Sequence, residues 1–218
     1  MKTVLVMLVA ALAAGVIVFA LLPREAGTHT VVSPPEEVDV AGVDEEVAAA
    51  GTVEDVGFAI DGVVSEGEYP HRVQIAGIEL SWANDDAQLR VGAVSPGTGY
   101  ISVGFDPERR MEGANFVLGA ATVDGDVVRD DYGTGAVAHA ADVDLGGIDD
   151  ILQSAVIEEQ GRTTFEFVIP LDSGDDTDRP LVPGESYTVL VAYHATDDGF
   201  GARHTERGAG EITLDPAP

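Results

Sequence analysis

From Phe58 onward the chain is a succession of short β-rich segments, each closed by Gly, Asp or Pro, with no long amphipathic helical stretch among them. This pattern restricts the fold more than any other feature. Short strands cannot bury a face alone, so they must pair into sheets and the sheets must stack. The candidate strands are Val73–Ile75, Ile78–Trp82, Leu89–Val94, Tyr100–Phe105, Phe116–Val123, Val127–Asp131, Ala155–Glu158, Thr163–Ile169, Tyr187–Tyr193 and Glu211–Leu214. Apolar and polar residues alternate in Thr164-Phe-Glu-Phe-Val-Ile169 and in Gln88-Leu-Arg-Val-Gly-Ala-Val94, as expected of strands with one face inward. Val123-Asp-Gly-Asp126 carries the Asp-Gly pair that suits a two-residue hairpin loop. About ten short strands with regular turn signals predict an all-β, antiparallel β-sandwich. Architecture by itself names no function.

Two different stretches precede that region. Val4 to Leu22 is an unbroken apolar run, preceded by Lys2 and closed by Pro23-Arg24-Glu25. As a helix, about 20 residues span roughly 30 Å, the thickness of a bilayer's hydrocarbon core. Residues 1–22 therefore predict an N-terminal transmembrane helix. An uncleaved anchor is favoured over a removed signal peptide, because the one A-x-A-like site, Ala11-Leu-Ala13, falls inside the run. Residues 23–55 hold Pro34-Pro35, many acidic residues and no aromatic, and read as an acidic linker. The domain is expected over 56–218, outside the cell membrane on a single-pass anchor, or secreted if the leader is cleaved.

Charge and cysteine content narrow the classes further. The 218 residues contain 39 acidic and 11 basic side chains, for a net charge of -28. Lys2 is the only lysine. So much like charge opposes compaction at low ionic strength and is screened in molar salt, where the Debye length falls to about 3 Å. The composition thus reads as adaptation to high salt, and it leaves no basic patch for nucleic acid. Without cysteine there are no disulfides, thiolate metal sites, c-type haem or thiol nucleophiles. G-x-S-x-G, H-E-x-x-H, the P-loop and a helix-opening G-x-G-x-x-G are also missing. Asp172-Ser-Gly-Asp-Asp-Thr-Asp178 could hold calcium but misses the EF-hand spacing, and a solvated acidic surface is the favoured reading.

Soft metal ligands are few. Beyond the leader the chain has one methionine, Met111, and its domain histidines are His71, His139, His194 and His204. No two of these histidines are spaced i, i+2 or i, i+4, so a local zinc site is not expected. Met111 follows strand Tyr100–Phe105, and His204 lies in the loop before the last strand. A lone methionine is usually packing and a lone histidine usually a surface group. The same pair on opposite faces of a porphyrin would make a six-coordinate haem iron. Spacing alone leaves both readings open.

The surrounding motifs bear on the choice. Ile60-Asp-Gly-Val-Val-Ser-Glu-Gly-Glu-Tyr-Pro70, Leu80-Ser-Trp-Ala-Asn-Asp85, Gly99-Tyr-Ile-Ser-Val-Gly-Phe105, Met111-Glu-Gly-Ala-Asn115, Thr163-Thr-Phe-Glu-Phe167 and His204-Thr-Glu-Arg-Gly208 occur in that order. This series resembles the DOMON family, in particular its haem-binding cytochrome domains, over about residues 58 to 214. Tyr100 stands where many members have Trp, and Asn115 where Asp is usual. The resemblance implies an immunoglobulin-like sandwich holding b-type haem noncovalently at one end. Its axial ligands would be Met111 and His204, with His194 and His71 as rivals. Phe105, Phe116, Leu118, Tyr193 and Phe200 are candidates for the pocket wall, and Arg203 or Arg207 for pairing with a haem propionate. The function implied is one-electron transfer to a redox partner protein, with no catalytic site of its own. The alternative is a haem-free DOMON-type sandwich binding a sugar or another small ligand, with Trp82 and the tyrosines stacking on a ring.

Overall fold

The computed structural model describes residues 58–217. Eleven strands and one short helix follow one another as β1 (His71–Ile75), β2 (Ile78–Asn84), β3 (Gln88–Ser95), β4 (Ile101–Phe105), β5 (Asn115–Thr122), β6 (Gly125–Gly135), β7 (Ala138–Ala141), α1 (Asp142–Leu145), β8 (Gln153–Glu159), β9 (Arg162–Pro170), β10 (Ser186–Tyr193) and β11 (Glu206–Thr213). They form two antiparallel sheets, one of five strands in the order β1-β2-β3-β9-β8 and one of six in the order β11-β10-β4-β5-β6-β7. Five and six strands in these orders differ from the seven- or nine-strand immunoglobulin layout.

The alternation seen in the sequence sets what lies between the sheets. Phe165, Phe167 and Ile169 of β9 join Ile78, Leu80 and Trp82 of β2, Val103 and Phe105 of β4, and Val189 and Val191 of β10 in one buried cluster. Full burial of such side chains contributes roughly 2–3 kcal/mol each. The intervening residues face outward. On the five-stranded sheet, segment 58–70 covers that outer face. Glu166 is fully buried there, accepting from the backbone N–H groups of Asp61, Gly62 and Val63 and from the Tyr69 hydroxyl. Gly92 leaves room for this cover, since a Cβ on it would lie 2.6 Å from Val64.

Strand β11 is longer than the sequence suggests. It begins at Glu206 and pairs along all of β10. Gly208 and Gly210 permit this, because a Cβ at either would lie within 2.7 Å of Ile75, where β11 passes over β1. Strand β7 was not foreseen; His139 is the only residue in Ala138–Ala141 other than alanine.

The membrane expectations require correction. Residues 1–22 and the linker 23–55 lie outside the described residues. Among the described residues no helix is long and apolar enough to cross a membrane. Their one helix, Asp142–Leu145, has four residues, about 6 Å of rise against a bilayer core of about 30 Å. No described residue supports the transmembrane helix, the membrane as partner or the cell-membrane location, and these expectations are not carried further.

Candidate functional site

The outer face of the six-stranded sheet carries a cavity of about 860 Å³. Its floor is two cross-strand rows. Arg207, Ala192, Ser102, Leu118 and Arg129 face one another across β11, β10, β4, β5 and β6. The second row is Ala209, Leu190, Gly104 and Phe116. These are the positions that alternate with the inter-sheet core, so the period of two that builds the sandwich also builds the floor. Gly104 gives the Phe116 ring its place, since a Cβ there would come within 2.3 Å of it. Ala114, Phe116 and Leu118 form a separate apolar cluster, against which Met111, Leu190 and Phe200 pack.

Three segments wall this floor. The first, residues 106–114, carries Arg110 and Met111 into the lining. Hydrogen bonds from Gly113 N–H to Gly133 O and from Gly133 N–H to Ala114 O, both 2.8 Å, tie it to β6. Gly133 is required there, because a Cβ would sit 1.8 Å from the Met111 carbonyl oxygen. The second wall is the β6–β7 turn with Val137 and His139, and the third is the segment with Phe200, Arg203 and His204. Tyr100 fastens the third wall by donating its hydroxyl to Ala202 O at 2.9 Å.

The lining is cationic within an acidic chain. Arg110, Arg129, Arg203 and Arg207 contribute to it, and no Asp or Glu does. Next to Phe116 in the second row, fully buried Asp131 accepts hydrogen bonds from Arg129 and from Nδ1 of His139. Burial works against ionisation of Asp131, but the bonds from His139 and Arg129 and the guanidinium charge outweigh it and hold its carboxyl low. The Arg129 guanidinium lies 5.1 Å from the Phe200 ring centroid, a cation–π contact. His204 is half-buried. Desolvation, then the charges of Arg207 and Arg203, hold its imidazole below the ordinary range, and Arg207 donates to its Nε2 at 3.1 Å.

Met111, His204, Phe116, Leu118, Phe200, Arg203 and Arg207 all line this one cavity. Two other candidates do not. Phe105 and Tyr193 point to the opposite face and pack in the inter-sheet core. The cavity lies on a sheet face rather than at an end of the sandwich. The rival His71 stacks on Trp82 and meets Asp215 at 2.9 Å, while His194 Nδ1 accepts from Asp197 N–H at 2.8 Å. Neither lines the cavity. Trp82 is buried, with its indole N–H donated to Thr213 O at 3.0 Å, so it offers no platform for a sugar. Sequence reasoning missed Arg110, Arg129 and His139. For Arg129 the available signal was its position in β6, in phase with the outward face of its partner Leu118.

The DOMON domain model matches residues 76–194, more than half of the chain. The chain belongs to the DOMON family. The matched span contains Met111 and ends before His204. No curated protein matches the chain. Among solved structures, the chain is similar to the cytochrome b domain of pyranose dehydrogenase from Coprinopsis cinerea, at 10% identity over 62% of this chain and 76% of that one, with a TM-score of 0.43. It is also similar to the cytochrome domain of Myriococcum thermophilum cellobiose dehydrogenase, at 8% identity over 63% and 75%, with a TM-score of 0.44. A family 9 carbohydrate-binding module from Caldicellulosiruptor kristjanssonii, in complex with cellotriose, has 13% identity over 73% and 90%, with a TM-score of 0.44.

Proposed function

We propose that this DOMON domain binds b-type haem in the outer-face cavity and serves in one-electron transfer. One observation carries the reading: a thioether and a neutral-leaning imidazole line the same apolar-floored cavity, among four arginines and no carboxylate. That donor set fits the group. Thioether and imidazole are ligands of low-spin haem iron, and arginine forks match propionates. Met111 and His204 would be the ligands, Phe116, Leu118 and Phe200 the apolar contacts, and Arg203 or Arg207 the propionate partners. Haem held there would supply a one-electron couple, and engagement of both Met111 and His204 would disfavour substrate turnover at the iron. The chain's own part is to exclude water from the floor, to keep His204 unprotonated near neutral pH and to offset acidic charge. No catalytic role is assigned.

A haem-free domain binding a sugar or another small ligand is the second reading. The observation in its favour is that His204 Nε2 is engaged by Arg207 rather than presented free to the cavity. Titration with haemin in molar salt separates the two. The haem reading requires one haem per chain, a sharp Soret band and split α/β bands on reduction. Met111→Ala and His204→Ala should each abolish that spectrum and weaken binding at least about tenfold. An unchanged spectrum in both variants removes Met111 and His204 as the ligands. If haemin does not bind stoichiometrically while oligosaccharides do, the second reading replaces the first.

A further inference from the structure

On the far side of β6 from the cavity, four aspartates converge from separate parts of the chain. They are Asp130 of β6, Asp142 at the start of α1, Asp150 of the segment before β8, and Asp178 of the segment between β9 and β10. Carboxylate oxygens of Asp130, Asp150 and Asp178 all lie within 4.8 Å of one another. A cluster of this kind on an acidic protein can be plain surface, but two of these side chains are buried and the other two, Asp150 and Asp178, are partly so. Asp130 is 3% exposed and Asp142 is 0% exposed. Asp130 Oδ1, both oxygens of Asp142, both of Asp150 and Asp178 Oδ1 are buried with no hydrogen-bond partner. None of the four pairs with an arginine or a histidine among the described residues. Asp130 Oδ2 accepts only from Asp150 N–H at 3.3 Å and Asp178 Oδ2 only from Ser173, so every one of the four keeps at least one oxygen that nothing among the described residues satisfies.

We infer that these aspartates form a calcium-binding site. The chemistry of the oxygens points to that ion. All the ligands on offer are hard oxygens, and the nearby His139 is committed to Asp131. Calcium takes six to eight oxygens at about 2.3–2.6 Å, so two oxygens on one ion lie no more than about 5 Å apart. The Asp130–Asp150–Asp178 oxygens meet that limit. Magnesium, at about 2.0–2.1 Å with near-ideal octahedral demands, is seldom held by a cage of protein carboxylates alone. The loops are built in advance. Asp175 accepts from Ile148 N–H at 2.6 Å and from Thr177 N–H at 2.9 Å, and Ser173 donates to Asp178 Oδ2 at 2.6 Å. A Cβ on Gly147 would lie 2.2 Å from the Thr177 hydroxyl, so the two segments meet at contact distance. The ion would join β6, α1 and both segments. Asp130 is followed directly by Asp131, the residue that holds Arg129 and His139 in the cavity lining.

The test uses the full chain in molar NaCl, freed of divalent ions by chelator and then titrated with CaCl2 by calorimetry and by thermal unfolding. The expected result is one calcium per chain and a midpoint that rises with calcium concentration, with MgCl2 at least tenfold weaker. Asp130→Asn and Asp142→Asn should unfold cooperatively without calcium, since each removes repulsion, and should lose the calcium response. Exposed Asp124→Asn should keep it. If either buried variant does not fold, Asp178→Asn is read in the same way. The site is overturned by wild-type protein that binds no stoichiometric calcium. It is equally overturned by weak, multiple binding matched by magnesium, or by binding that survives in the folded variants.

Discussion

At the scale of single residues, Glu166 shows how a buried charge is made tolerable. Three backbone N–H groups and the Tyr69 hydroxyl converge on it, and they attach segment 58–70 to the five-stranded sheet. Burial pushes its carboxyl up, while the bonds from Tyr69 and Gly62 oppose that rise. Glutamine keeps the size but replaces one acceptor oxygen with a donor facing donors. Glu166→Gln is expected to lower stability by about 1–3 kcal/mol, read from urea unfolding midpoints. A loss below about 0.5 kcal/mol would mean that the segment is held by packing of Val64 and Tyr69 instead. Asp131 meets the same problem differently, with one carboxylate shared between Arg129 and His139.

At the scale of elements, close backbone approaches place the cavity walls, and glycine permits them. Gly133 leaves no space for a side chain between β6 and the Met111 carbonyl. Gly133→Ala should therefore displace the 106–114 segment while β5 and β6 remain paired, at a cost of about 1–3 kcal/mol. Under the haem reading, haemin affinity in this variant falls at least about tenfold. Titration with haemin beside far-UV circular dichroism checks both halves, and full affinity with an intact sheet would show that Met111 does not contribute. Strand β11 depends on the same device. Gly208 and Gly210 let it cross Ile75, which carries Arg207 and Ala209 onto the floor. The Gly-Ala-Gly stretch hides this half of the strand from propensity, because glycine is depleted in strands for reasons unrelated to its use here.

At the scale of the whole molecule, stability is governed by charge. With net charge -28, raising NaCl from about 0.1 to about 2 M should raise the thermal midpoint, since screening relieves repulsion in the compact state. Chelated protein should also respond to pH in a direction unusual for acids. Burial first, then the neighbouring Asp178 and Asp142 charges, raise Asp130 to about 8. Burial, with Asp178 and Asp175, raises Asp142 to about 6. Burial and Asp150 raise Asp178 as well. The unfolded carboxyls titrate near about 3.9, so between there and about 8 the folded state holds more protons than the unfolded one. Stability is then fully present below about pH 4 as far as these groups are concerned, and it is lost as pH rises toward about 8. Urea midpoints in chelator from pH 5 to 8 should fall, and calcium should flatten the slope. A midpoint that rises over that range would show that these aspartates are solvated.

Period-two alternation in β3 and β9 and the lack of a long helical pattern after Phe58 made two stacked antiparallel sheets legible from residues alone, because inward and outward positions are local properties. The Asp-Gly signal marked the β5–β6 hairpin, whose two-residue loop is Val123-Asp124, one residue earlier. The order of motifs from Ile60 to Gly208 likewise marked the DOMON family before any contact was known. Strand pairing decided the rest. Which outward residues share a cavity depends on register across five strands: it joined Met111, His204, Phe116 and four arginines on a sheet face, and left Phe105 and Tyr193 in the core. The tertiary fold also separated four aspartates from an acidic surface of identical composition. In the sequence, buried Asp130 and exposed Asp124 are the same type of residue, and only the packing around each carboxylate distinguishes a solvated charge from one that requires a partner.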